Sequence, residues 1–121
     1  MPHILQDIYG ETLAALDNSL PLLGAIGLRA IIETICKDRE AKGNDLMERI
    51  KSLATQGILT REQADILHKL RFLGNVSAHE VRSAKSEELI AALDIAETMI
   101  KTIYILPELG KSIQTDKKKH K

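Results

Sequence analysis

Along nearly the whole of this chain, apolar residues return at three- and four-residue intervals and nowhere sustain the alternation of a strand. The run Leu89, Leu93, Ala96, Ile100, Ile103 and Tyr104 shows the pattern best. Such spacing confines a chain to helices that bury one stripe against other helices. Composition points the same way. There is no Trp, one Phe and two Tyr, so Ile, Leu and Ala must fill the interior. A chain of 121 residues supports one modest core. The reading is a single domain over residues 1–110, with a basic, disordered tail over residues 111–121.

Punctuation divides the pattern into an all-α bundle of four main helices plus an N-terminal one. The first runs from about Ile4 to Leu16, interrupted by Gly10. Ser19 is the expected N-cap of the second, with Pro21 in its first turn, and that helix reaches about Arg39. Leu28, Ile31, Ile32 and Ile35 form its apolar face. Gly24 and Gly27 would weaken it unless another backbone approaches closely there. Gly43-Asn44-Asp45 should cap a third helix, Leu46 to Thr55, which Gln56-Gly57 stops. Thr60 and Gln63 have capping-box spacing, and the fourth helix is expected to run from there to His79. Ser86 should cap the last helix, which Pro107 should end near Leu106.

Chemistry concentrates at Leu70-Arg71-Phe72-Leu73-Gly74-Asn75-Val76-Ser77-Ala78-His79-Glu80. Read as one helix, this stretch stacks Arg71, Asn75 and His79 in a column two turns long. A guanidinium can stabilise charge on a phosphoryl group, and an amide can orient it. An imidazole can move a proton to or from a ribose oxygen. Those three groups suffice for RNA cleavage without a metal. Equally, the column can be a hydrogen-bonded polar seam between helices. Arg29 and Glu33 form an i, i+4 pair on the second helix that such a seam could extend to Arg71. His68 reads as a surface histidine, and Gly74 as a point where another helix comes close.

Other functions find little support. Residues 1–110 carry twelve basic and sixteen acidic side chains, a net of −4, so the body is a poor clamp for a polyanion. His3, His68, His79, His120 and Cys36 show no metal-ligand spacing, and neither a metal nor a cofactor is expected. Gly24-x-x-Gly27 lacks the Lys-Ser/Thr of a phosphate loop. Tyr9, Phe72 and Tyr104 are too few for a base-stacking platform. No apolar run is long enough for a membrane span, and no signal peptide is visible. The single Cys36 fits a reducing, cytoplasmic setting.

Three stretches, Gly27-Leu28-Arg29-Ala30-Ile31-Ile32-Glu33, Leu46-Met47-Glu48-Arg49-Ile50 and Leu70 to Glu80, together carry a resemblance. In that order they resemble domain-of-unknown-function family 4145, usually grouped with the HEPN superfamily of prokaryotic defence and toxin nucleases. The Ser86-Glu87-Glu88 start and the final helix fit as well, so the resemblance covers roughly residues 20 to 106. It implies a helical bundle that pairs into homodimers. It also implies either of two roles. The first is a dimerisation and protein-interaction module with a protein partner in a defence or toxin–antitoxin assembly. The alternative is a metal-independent endoribonuclease that places Arg71, Asn75 and His79 at a dimer interface, with RNA as its partner. Seven residues separate Arg71 from His79, and Phe72 follows the Arg. Active HEPN nucleases have a shorter spacing and usually a polar residue after the Arg, so the interaction role is the expectation.

Overall fold

The computed structural model describes residues 1–75 and 77–113, and they form an all-helical structure. The elements are α1 (His3–Asp17), α2 (Pro21–Asp38), α3 (Leu46–Thr55), α4 (Arg61–Lys69), α5 (Arg71–Gly74), α6 (Ala78–Arg82) and α7 (Ser86–Ile100). A π-helical turn (Lys101–Ile105) and α8 (Leu106–Ser112) follow. The expected disordered tail over residues 111–121 is contradicted at its first two residues. Lys111 and Ser112 belong to α8, and residues 114–121 lie outside the described residues.

Helix α2 is the central element, in contact with α1, α3, α5, α6 and α7. Its Leu28, Ile31, Ile32 and Ile35 are fully buried, as their spacing predicts, together with Ile50 and Leu53 of α3, Leu67 of α4 and Met99 of α7. Gly24 and Gly27 do mark a close approach, but by side chains rather than backbone. Leu16 of α1 occupies the space a Cβ would need at Gly24, and Thr12 does so at Gly27. Thr12 is buried there because its hydroxyl donates to the Ile8 carbonyl at 2.7 Å, leaving no unmet polar group against the glycine.

Helix ends follow local chemistry closely. Asp45 caps α3 by accepting from the Glu48 N–H at 2.9 Å, and the Thr60–Gln63 capping box opens α4. The start of α7 differs from expectation by one residue: Lys85 holds the N-cap position, and its N–H donates to the Glu88 carboxylate at 2.8 Å. Ser19 is likewise no N-cap. With φ +57° it sits in the left-handed region and closes the C-terminus of α1. The Ser19 and Leu20 N–H groups donate to the Leu16 and Ala15 carbonyls, which is a Schellman motif. Glu40 (φ +54°) ends α2 and Gly57 (φ +82°) ends α3 in the same way. Only the third of these uses the residue without a Cβ penalty. Ser19→Gly and Glu40→Gly are therefore each expected to raise stability by about 0.5–1 kcal/mol, and Gly57→Ala to lower it by about 1 kcal/mol. Urea-unfolding midpoints check this directly.

The largest departure is in the fourth helix, which does not continue to His79. It ends at Lys69, Leu70 is extended (ψ 103°), and Asn75 is extended again after the single turn of α5. Burial explains the first break. Leu70, Phe72 and Leu73 are all buried, yet on one straight helix Phe72 would point about 200° away from Leu70. Local competition accounts for the second. The Asn75 side-chain carbonyl accepts from the Ser77 N–H at 2.9 Å, and Ser77 then caps α6.

Pro107 does not end the last helix either. A proline deletes one N–H and collides with the carbonyl four residues back. Here the preceding turn widens, the Leu106 N–H donates to the Lys101 carbonyl, and the helix resumes as α8. Tyr104 pins this turn to α2. Its hydroxyl donates to Asp38 at 2.5 Å, while the Arg39 guanidinium lies 5.3 Å from the ring centre. Burial and then the Asp38 carboxylate push the Tyr104 phenol up to about 12. The same hydrogen bond, with Arg39 beside it, holds the Asp38 carboxyl below its ordinary value.

Candidate functional site

The two breaks disperse the expected column. Arg71 opens α5 with its side chain 80% exposed, and its Nη2 donates to Glu80 Oε1 at 2.7 Å. Asn75 lies in the extended link, committed to the Ser77 N–H. His79 is the second residue of α6 and exposed, with its carbonyl accepting from the Ser83 hydroxyl at 2.7 Å. The three residues thus come from three successive segments instead of one stripe. What the fold does bring together is Arg71 and Glu80, a clasp between α5 and α6 on a carboxylate only 12% exposed. Glu80 carried no role in the sequence reading, because its proximity to Arg71 depends on the break.

Arg29 and Glu33 pair as their spacing predicts, Nε to Oε1 at 3.4 Å. Arg29 does not extend this pair to Arg71. Its Nη1 donates instead to the backbone carbonyl of Leu73, tying α2 to α5. Both residues border a cavity of about 310 Å³ together with Asn44, Asp45, Arg49 and Gly74. Two guanidiniums and two carboxylates leave that cavity without a net field for an anion. A Cβ at Gly74 would meet Met47 of α3 at ordinary contact distance, so no tight helix approach requires the glycine. His68 is partly buried with its Nε2 at 3.0 Å from the Met47 carbonyl, so it joins α4 to α3 where a surface histidine was expected. Cys36 is buried, and burial pushes its thiol up to about 11, far from a reactive thiolate. Among the described residues, no three His, Cys, Asp or Glu side chains converge as metal ligands would.

A second surface was not anticipated. Nothing in α8 is buried, and among the described residues α8 packs only against the π turn before it. Leu106 and Leu109 on it, with Ile105 just before and Ile113 just after, are 43–66% exposed. Their spacing is helical and visible in the sequence, but reading Pro107 as a stop hid it. At the far end of α7, Leu16, Leu20, Pro21, Leu89, Ile90 and Leu93 line an apolar groove of about 390 Å³. Among the described residues, no helix is long and apolar enough to cross a membrane, so a bilayer-spanning role does not account for α8.

The profile of a family described as Domain of unknown function (DUF4145) matches residues 10–116. The chain belongs to that family. Its match takes in most of α1 and all of α8, which widens the resemblance read from residues 20 to 106 at both ends. In this DUF4145 member, both the Arg71–Glu80 clasp and the exposed α8 therefore fall inside the matched region. No curated protein and no solved structure matches the chain.

Proposed function

We propose that this DUF4145 chain is a HEPN-like dimerisation and protein-interaction module, serving a prokaryotic defence or toxin–antitoxin assembly in the cytoplasm. The observation that carries the interaction role is α8 with its two flanking residues, where Ile105, Leu106, Leu109 and Ile113 stand in water and no residue of the helix is buried. Folding leaves such a stripe exposed at a free-energy cost that association removes. The clasping of Arg71 by Glu80 supports the same reading, since an anionic partner already occupies the cation. The HEPN-like grouping and the defence setting rest on the resemblance carried by Gly27 to Glu33 and Leu70 to Glu80. Sedimentation velocity of the full chain tests the self-association. A dimer at micromolar concentration is expected, and a monomer throughout would overturn it.

One observation favours the alternative of metal-independent RNA cleavage: Arg71 and His79 both reach solvent. Labelled RNA in EDTA separates the two readings. Intact RNA is the expected result for an interaction module. Cleavage abolished by both His79→Ala and Arg71→Ala, with folding and assembly unchanged, would establish the nuclease instead.

A further inference from the structure

We infer that two copies of this chain pair antiparallel along the outer ridge of α7 and the π turn, each seating its α8 in the α1–α2–α7 groove of the other. This inference rests on the self-association proposed above and names the surface that performs it. Its first basis is the pattern of the ridge. Ile90, Asp94, Thr98, Lys101 and Ile105 are all exposed and follow one another at intervals of four, four, three and four residues. Read from either end the order is apolar, charged, Thr, charged, apolar, with the charge inverted about the centre. A two-fold axis beside Thr98 therefore sets Asp94 against Lys101 of the partner subunit, and Lys101 against Asp94 of the partner subunit. It also sets Ile90 against Ile105 of the partner subunit. Interfaces of this symmetry use one patch twice and must be complementary to themselves, which this ridge is.

The second basis is reach. The groove lies at the N-terminal end of α7, and α8 follows its C-terminal end. Ile90 and Leu106 are separated by roughly 24 Å of helix, so α8 points away from its own groove. In the antiparallel pair the partner's α8 runs alongside the first turn of α7 and the residues just before it, beside the groove whose wall exposes Ile90 and part of Leu93. Thr98 suits the centre, because its hydroxyl already donates to the Asp94 carbonyl at 2.8 Å and loses no hydrogen bond when water leaves. The same register brings Glu108 towards the partner's Glu87, and Lys111, 3.4 Å from Glu108, offsets that repulsion.

Charge swapping tests the pairing. Asp94→Lys and Lys101→Asp each create two like-charged contacts across the axis and should weaken dimerisation by about tenfold in Kd. The double variant restores both contacts and should return the constant to near that of the parent. Leu109→Asp should also weaken the dimer by about tenfold or more, through the groove. All three sites are exposed, so the folded helix content read by circular dichroism should match the parent, while melting temperatures should fall only as far as the weaker dimer dictates. A dimer indifferent to both single reversals would overturn the ridge pairing while leaving self-association intact. Loss without rescue in the double variant would overturn the Asp94–Lys101 register. An unaffected Leu109→Asp dimer would overturn the seating of α8. A parent chain that stays monomeric would remove the proposal together with the reading beneath it.

Discussion

Phe72→Ala is expected to destabilise the chain by about 3–5 kcal/mol, the largest effect of any substitution considered. The side chain is 2% exposed and is the single phenylalanine in a core otherwise built of aliphatic residues. Neighbouring helices cannot close such a void completely, so lost burial and residual cavity add. A domain of this size has only about 5–15 kcal/mol of stability, and the variant should sit near its unfolding threshold. Phe72→Leu, which keeps most of the volume, should cost less than about 2 kcal/mol. Denaturant midpoints of the two variants give the comparison. A Phe72→Ala midpoint within error of the parent would show that this side chain does not hold α5 in place. The chain break at Leu70 would then need another cause.

Arg29→Ala is expected to cost about 1–3 kcal/mol, and Glu33→Gln less than about 1 kcal/mol, although the two residues form one ion pair. The asymmetry follows from what each side chain satisfies. Glu33 is 44% exposed and can exchange its partner for water. Arg29 is 20% exposed and donates to the carbonyl of Leu73, a fully buried residue whose backbone would lose its partner. The hydrogen bond therefore outweighs the salt bridge. Raising the salt concentration should leave most of the Arg29→Ala penalty in place, because screening acts on exposed charge pairs and hardly on a buried donor–acceptor contact. A penalty that vanished in high salt would reverse this ranking.

Much of the helical organisation was legible because it is written locally. The bounds of α3, the Asp45 cap, the Thr60–Gln63 box and the buried face of α2 each depend on residues within one or two turns of one another. The Arg29–Glu33 pair was legible for the same reason. Where the sequence misled, a local rule met a tertiary demand. Leu67, Leu70 and Leu73 fit one continuous helix, and only Phe72, out of phase with them, signalled that the chain had to turn. The Asn75-x-Ser77 spacing was a second signal, since both side chains compete for backbone groups. Arg71 thus faces Glu80, and Asn75 and His79 fall on separate segments, for reasons that helical spacing does not contain. Pro107 taught the converse lesson. A residue that ends an ordinary α-helix does not end one that widens first.

Cys36 makes the molecule its own stability clock. It is the single thiol of the chain, buried near the C-terminal end of α2, and its proton is held more tightly than that of a free cysteine. A thiol-reactive reagent at neutral pH can therefore modify the chain only as fast as the interior opens. The rate of labelling, followed by mass, reads the frequency of that opening with no engineered probe and no denaturant.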